Sequence, residues 1–212
     1  MEFYQQIQSY AEEPITRQVL LDLLKDYRRP NDKLNELVRQ GRLTNVKRGI
    51  YIPGPNLGLK GPEPFLLANH LTGPSYISME SALSHWGMIP ERVFEITSAT
   101  IKKSRTFQTA AGSFSYIHLP LPYYAFGIRR ISLTVRQQVL IASPEKALCD
   151  QIIKSADLQL RSLHQTVRYL KEDLRIEEDR LRELSPRVIS EWIEDAPKKD
   201  SLELLVKTLE KL

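Results

Sequence analysis

The spacing of apolar residues near the start of the chain predicts two short helices. After Pro14 and the capping residue Thr16, one apolar face recurs at helical spacing, and it consists of Val19, Leu20, Leu23 and Leu24. A second apolar face predicts a helix over 32–40, and it consists of Leu34, Leu37 and Val38. Asn31 is suited to cap the start of this second helix, and Gly41 is suited to end it.

A β-hairpin is predicted directly after the two helices. Two short β-prone runs, 43–46 and 50–52, flank Lys47-Arg48-Gly49, which is typical of a hairpin tip. The order helix, turn, helix and hairpin predicts a winged helix-turn-helix DNA-binding domain over residues 1–55. The second helix of such a motif enters the major groove of DNA.

A segment rich in proline and glycine follows the hairpin. Residues 53–64 contain four prolines and three glycines, which is incompatible with a regular helix or a central strand. We therefore predict a linker over 56–64 and a second domain over 65–212.

The first part of this second domain has the patterns of a mixed α/β arrangement. A strand over 76–78 precedes a helix over 79–86 that Gly87 ends. Further strands are predicted over 93–101, 105–109, 114–119, 123–126 and 139–142, and the hairpin 107–114 joins two of them. Ser143 and Pro144 are typical of the start of another helix.

The remaining residues have helical spacing. One predicted stripe consists of Leu160, Leu163, Val167, Leu170 and Leu174, and a last one consists of Leu202, Leu205, Leu209 and Leu212. Core packing is the simpler interpretation of both stripes, and a dimer or partner surface is the alternative for the last. The predicted fold class is thus α+β, with a winged helix-turn-helix followed by a mixed α/β domain that ends in a helical segment.

The composition indicates the class of protein and the cellular compartment in which we expect it. The 212 residues include 30 basic and 26 acidic ones, a net charge of +4, and 42% are hydrophobic, which is typical of a soluble globular chain. The apolar runs are too short to span a membrane, and the first residues lack the pattern of a signal peptide. Cys149 is the single cysteine, and its helical context favours a buried small hydrophobe over a nucleophile. We expect a cytoplasmic protein.

Positive charge is concentrated where the winged helix is predicted. Residues 28–48 contain seven basic and two acidic residues. Asparagine can pair with adenine, and lysine and arginine can contact guanine or phosphate. The candidate DNA-binding residues are Arg28, Arg29, Asn31, Lys33, Asn35, Arg39, Lys47 and Arg48. The alternative is a solvated helical pair that serves as a protein docking module.

The middle of the chain is basic as well. Residues 96–144 contain no aspartate or glutamate and six basic residues. We predict a second basic surface here, for nucleic acid or for an acidic protein, formed by Lys102, Lys103, Arg105, Arg129 and Arg130. Ordinary solvated side chains on a hairpin are the alternative.

The same stretch argues against several enzyme classes. A metal-dependent nuclease needs clustered carboxylates, and a general acid–base pair needs two suitable groups, but after Glu95 these strands have no carboxylate. The four histidines form no metal-binding motif, and no phosphate-binding glycine loop occurs. We therefore expect no enzymatic activity, no catalytic or metal-binding residue and no cofactor.

Several short motifs together resemble the AbiEi antitoxins, which belong to the abortive-infection systems of the type IV toxin–antitoxin class. The resemblance covers about residues 1–155, and the last fifty-five residues match no motif. The matching segments are Arg48-Gly49-Ile50-Tyr51, Tyr76-Ile77-Ser78-Met79-Glu80-Ser81-Ala82-Leu83, Gly87-Met88-Ile89-Pro90-Glu91, 94–100 with Lys102-Lys103-Ser104-Arg105, 112–116, and Ser143-Pro144-Glu145-Lys146-Ala147-Leu148.

This resemblance implies two activities. The winged helix would repress the chain's own operon by binding inverted repeats in its promoter, as a monomer in solution that binds DNA cooperatively. The second domain would oppose a nucleotidyltransferase toxin without forming a stable complex with it. The resemblance does not indicate which residues neutralise the toxin. A plain regulator with a ligand-binding or oligomerisation domain is one alternative, and a nucleic-acid-processing enzyme is another.

Overall fold

The computed structural model describes residues 2–91 and 93–212, and it confirms the α+β class. Helices α1 to α10 are, in chain order, Glu2–Gln8, Arg17–Leu23, Pro30–Arg39, Pro64–Leu71, Met79–His85, Pro144–Lys154, Leu163–Arg168, Glu178–Arg182, Pro186–Ser190 and Lys199–Leu209. Strands β1 to β9 are Ile15–Thr16, Leu43–Lys47, Ile50–Pro53, Ser75–Ile77, Glu95–Thr100, Arg105–Thr109, Gly112–His118, Ile128–Ser132 and Gln138–Ala142. Among the helices of residues 2–91 and 93–212, none is long and apolar enough to cross a membrane.

A small antiparallel sheet with the strand order β1-β3-β2 packs against the first three helices. The predicted hairpin is confirmed, because β2 and β3 pair on either side of the turn at Arg48 and Gly49. Strand β1 was not predicted; it pairs Ile15 with Tyr51, and both side chains are buried in the small core. As predicted, the Thr16 hydroxyl accepts a hydrogen bond from the Val19 amide, over 3.4 Å.

Helix α3 ends as predicted but begins differently. Gly41 has a φ of +65°, the Arg42 amide donates to the Leu37 carbonyl over 2.9 Å, and the Gly41 amide donates to the Val38 carbonyl over 3.0 Å. This pair of bonds is a Schellman motif. The prediction of Asn31 as the N-cap is wrong: the helix begins at Pro30, whose fixed φ suits the first helical position.

The larger sheet has six strands in the order β6-β7-β5-β4-β9-β8, with two parallel and three antiparallel pairings. Ile77, Ser98 and Tyr116 are paired across three strands and therefore face the same side of the sheet. The Tyr116 hydroxyl donates to the Ala68 carbonyl of α4 over 2.6 Å. Tyr76 faces the other side and donates to Asp150 of α6 over 3.0 Å. Helices α4 and α6 thus cover opposite faces.

Two predictions in the second domain are wrong, and one strand was missed. Residues 123–125 form a 3-10 turn rather than a strand, and strand β8 was not predicted. The stripe from Leu160 to Leu174 does not lie on one helix, since α7 begins at Leu163 and passes into a π-helical turn over Tyr169–Asp173. Of the five residues in this stripe, Leu160 and Leu170 are buried and the other three are half-buried. The apolar spacing therefore predicted burial only in part, and it did not determine where the backbone changes direction.

The segment rich in proline and glycine is packed at both ends. The Gly54 amide donates to the Arg42 carbonyl over 2.8 Å, and the Asn56 amide donates to the Gly41 carbonyl over 2.9 Å. The Glu63 amide donates to the Gln137 side chain over 2.7 Å. The segment therefore links the two sheets through specific hydrogen bonds.

Candidate nucleic-acid interface

One exposed stripe of α3 carries three of the candidate DNA-binding residues. Leu34 and Leu37 are buried in the small core. Asn31, Asn35 and Arg39 are exposed and lie four residues apart, so their side chains share a face of the helix. Amide and guanidinium groups are thus presented together, away from the core.

Arginines around this stripe change its charge and its hydrogen bonding. The Arg17 guanidinium donates to the Asn31 side-chain oxygen over 2.7 Å, which adds to the stripe a cation that the sequence did not single out. Arg29 forms an exposed ion pair with Asp32 over 3.7 Å, and Arg28 is exposed beside it. An exposed pair of this kind contributes little to stability. Arg29 can therefore leave Asp32 to contact a DNA phosphate, and the exposed Arg28 can contact a phosphate as well.

Lys33 is placed differently from the stripe. Its ammonium is 3.0 Å from Glu36, lies 5.4 Å from the centre of the Tyr27 ring, and is half-buried. The hydrogen bond from Lys33 is the largest cause of the lowered pKa of Glu36. The charge of Lys33 is therefore partly neutralised within the chain.

The two basic residues of the hairpin, Lys47 and Arg48, have different environments. Arg48 is exposed in the turn. Lys47 is half-buried: its ammonium donates to the Leu71 carbonyl over 2.7 Å and lies 5.1 Å from the centre of the Phe107 ring. Burial is the largest cause of the lowered pKa of Lys47, followed by the nearby charges of Arg105 and Lys102. Lys47 thus joins the hairpin to the larger sheet.

The prediction of one second basic surface is wrong, because the strand order divides it. Lys102, Lys103 and Arg105 are exposed at the start of β6, on one edge of the six-stranded sheet. Arg129 and Arg130 lie on β8, at the opposite edge. Five strand spacings separate these edges, which is roughly 24 Å.

The two halves have different neighbours. Lys102 and Arg105 are close enough to Lys47 to lower its pKa, and Lys102 also donates a hydrogen bond to the Gly73 carbonyl. Arg129 instead lies 4.0 Å from the Glu145 carboxylate and 5.9 Å from the centre of the Trp86 ring. The first half therefore extends the positive surface of the hairpin, and the second does not.

A charged cluster that the sequence did not reveal lies beneath the sheet. The Lys146 ammonium is 2.8 Å from the Asp150 carboxylate, and both side chains are completely buried. Asp150 also accepts hydrogen bonds from the hydroxyls of Tyr76, Ser78 and Tyr123, over 3.0, 2.6 and 2.9 Å. Since solvent cannot reach these groups, the cluster joins β4, α6 and the 3-10 turn at 123–125 rather than binding a substrate.

Cys149 is completely buried, as predicted, and burial raises the pKa of its thiol. Across residues 2–91 and 93–212, the histidine, cysteine and acidic side chains form no group of three or more that could hold a metal ion.

No protein-family model matches this sequence, and neither does any curated protein. The exposed stripe of α3, the β2–β3 hairpin and the sequence motifs are therefore the features that bear on function.

Proposed function

We propose that this chain is a transcriptional repressor that binds operator DNA through a winged helix formed by its first three helices and small sheet. The observation that carries this proposal is the exposed stripe of Asn31, Asn35 and Arg39 on α3. Arg17 connects this stripe to the turn at Arg48, because its guanidinium donates to Asn31 and its backbone amide donates to the Gly49 carbonyl. The small sheet holds α3 and the hairpin on one core, so both elements can contact the same duplex.

Each part of this surface has its own task in the proposal. The asparagine amides contact base edges in the major groove, where a bidentate pair with adenine gives sequence preference. Arg48 and the arginines before α3 contact phosphates, which position the protein without distinguishing sequences. Lys102, Lys103 and Arg105 extend the phosphate contacts along the hairpin side. In this proposal the protein is a monomer in solution, and its molecules bind inverted repeats in the operator cooperatively.

We propose further that the protein acts in the cytoplasm as an antitoxin that opposes a nucleotidyltransferase toxin encoded beside it. The support for this second activity is the set of motifs shared with the AbiEi antitoxins. Some of these motif residues have structural tasks in the chain, such as Tyr76 and Lys146 in the buried cluster. The proposal includes no enzymatic step and no cofactor.

The DNA-binding activity is tested by fluorescence anisotropy with duplexes from the region upstream of the gene. Asn35→Ala should reduce the preference for the operator over scrambled DNA, and Arg48→Glu should weaken binding to both duplexes equally. Lys211→Glu, an exposed charge reversal at the other end of the chain, is the matched control. If the wild-type protein does not prefer the upstream region, or if all three variants bind alike, the proposed interface is wrong.

The antitoxin activity is tested by growth of cells that co-express the chain with its neighbouring gene product. Rescue of growth by both the wild-type protein and Arg48→Glu would separate neutralisation of the toxin from repression. If the neighbouring product is harmless, or remains toxic in the presence of the chain, the plain-regulator alternative replaces the antitoxin proposal.

A further inference from the structure

The two exposed asparagines of α3 have different surroundings. The side-chain oxygen of Asn31 accepts a hydrogen bond from the Arg17 guanidinium over 2.7 Å. The side chain of Asn35, one turn further along the same face, has no hydrogen-bond partner among residues 2–91 and 93–212. One amide of the stripe is therefore held within the protein before DNA binds, whereas the other is free to rotate.

The backbone positions of Arg17 and Asn31 are both fixed. Arg17 directly follows β1, and its amide donates to the carbonyl of Gly49, in the turn of the β2–β3 hairpin, over 2.9 Å. Asn31 is the second residue of α3, after Pro30. The contact between these two side chains thus joins the start of α2 to the start of α3. In a helix-turn-helix, the start of the second helix is the part that contacts base edges.

The chemistry of the two groups determines the orientation of the Asn31 amide. A guanidinium has only N–H donors, so the side-chain oxygen must face Arg17 and the amide nitrogen must lie on the other side. A base donor that approached this oxygen would also come next to the positive guanidinium, which repels it, whereas a base acceptor would be attracted. Asn31 therefore presents a donor to the base rather than a donor and an acceptor together.

This orientation distinguishes the two purines. In the major groove adenine presents the N7 acceptor beside the N6 amino donor, whereas guanine presents two acceptors, N7 and O6. An asparagine amide that can rotate matches adenine, because it donates to N7 and accepts from N6. An amide whose oxygen is held by a guanidinium matches guanine, and the remaining N–H groups of Arg17 can donate to the second acceptor.

We propose that Arg17 sets the base preference of Asn31, so that the start of α3 selects guanine rather than adenine. Arg17 is a positioning residue, and Asn31 makes the contact with the base. Asn35, whose amide is not held, selects adenine at its own position. This inference rests on the proposed binding of DNA by α3, and it adds the base that one residue of this helix selects.

The test is selection of bound sequences by the full chain from a library of duplexes in which positions of the upstream region are randomised. The base that Asn31 contacts is the one whose preference Asn31→Ala abolishes, and in the wild type it should be guanine. Arg17→Met should lower the ratio of guanine to adenine at this position by at least about fivefold, since the amide can then rotate to pair with adenine. Arg17→Lys keeps a cationic donor beside the oxygen and should preserve the ratio.

Two controls separate positioning from a general loss of binding. Arg28→Met removes an exposed arginine that contacts phosphate in the proposed interface, so it should weaken binding to all sequences and leave the ratio unchanged. In an Asn31→Ala background, Arg17→Met should have no further effect on the base preference, because no amide remains to be reoriented. Thermal unfolding of each variant, followed by circular dichroism, checks that it is folded.

Four outcomes would overturn this inference while leaving DNA binding by α3 in place. They are adenine at the Asn31 position in the wild type, an unchanged ratio in Arg17→Met, the same change of ratio in Arg17→Met and Arg28→Met, and a fall in Arg17→Lys as large as that in Arg17→Met. A wild-type protein that selects a sequence which Asn31→Ala does not alter would also overturn it. The absence of any sequence selection by the wild type would overturn the proposed function as well.

Discussion

The ammonium of Lys47 donates a hydrogen bond to the carbonyl oxygen of Leu71 over 2.7 Å, and this contact anchors the N-terminal hairpin on the last residue of α4. The next residue, Arg48, is exposed in the turn of the same hairpin. Two neighbouring cations that look equivalent in the sequence therefore have different partners. One contributes to the packing of the two sheets, and the other is available to a ligand in solvent.

Removing each of these charges separately should distinguish stability from DNA binding. Lys47→Met should lower the free energy of unfolding by about 1–2 kcal/mol, because a hydrogen bond from a charged donor is lost. Arg48→Met should change stability by less than about 0.5 kcal/mol, but it should reduce the slope of log affinity against log salt by about one. Urea unfolding and anisotropy titrations measure the two effects. An equal loss of slope in both variants would contradict this assignment.

Two glycines of the Pro/Gly-rich segment should respond differently to alanine. A Cβ at Gly54 would lie 2.3 Å from the backbone oxygen of Gly41, whereas a Cβ at Gly61 would meet nothing within 4 Å. Gly54→Ala should lower the free energy of unfolding by about 1–3 kcal/mol, because backbone must move. Gly61→Ala should leave it unchanged or raise it slightly, since the unfolded chain loses freedom. Similar urea midpoints for the two variants would show that the segment is not packed as described.

The buried pair of Lys146 and Asp150 should be sensitive to loss of one partner. Asp150→Asn leaves the Lys146 charge without a counterion and should lower the free energy of unfolding by about 3–5 kcal/mol. Asp157→Asn, at an exposed position after the same helix, is the control and should change it by less than about 0.5 kcal/mol. The measurement is chemical denaturation followed by circular dichroism. A mild effect of Asp150→Asn would mean that solvent reaches the cluster.

The alkaline stability of the protein should depend partly on Tyr169. Burial is the largest cause that raises the pKa of this phenol to about 12, from an ordinary value of 10. Between these values the folded state keeps a proton that the unfolded state loses, so this contribution to stability is complete below pH 10 and is lost as the pH rises through about 12. Tyr169→Phe should reduce the fall in unfolding free energy across this window.

The same substitution supplies its own control near neutral pH. The buried Tyr169 hydroxyl lies near the side chains of Ser155 and Gln151, which lower its pKa slightly against the effect of burial, so its removal should change the free energy of unfolding there by no more than about 1 kcal/mol. Urea midpoints at neutral and alkaline pH, with phenolate absorbance as a second signal, test both statements. An unchanged alkaline slope in Tyr169→Phe would assign the effect to other tyrosines.

Charge reversal at the two edges of the larger sheet should have unequal effects on DNA binding. Arg105 lies near Lys47 and the hairpin, whereas Arg130 lies on the opposite edge. Arg105→Glu should weaken binding to all duplexes at low salt, and Arg130→Glu should leave it close to the wild-type value. Anisotropy titrations at two salt concentrations measure this. A stronger effect of Arg130→Glu would place the DNA on the other edge.

Several local interactions of this chain could be predicted from its sequence, although the cap expected at Asn31 was not one of them. The caps at Thr16 and Ser143, the left-handed glycines Gly41 and Gly87, and the tip of the N-terminal hairpin all involve residues within a few positions of each other. The identity of those residues determines the bonds they make, because few conformations satisfy their backbone groups. The leucines of the last helix were likewise predicted to be buried, and most of them are.

The larger relationships were decided only by the tertiary structure. Strand order separates Arg105 from Arg130, although no spacing in the sequence reports which strands become neighbours. Whether a charged side chain is solvated, as Arg48 is, or buried against a distant carbonyl, as Lys47 is, depends on what packs over it. Local patterns determine elements and their ends, whereas long-range packing determines which charges remain available for binding.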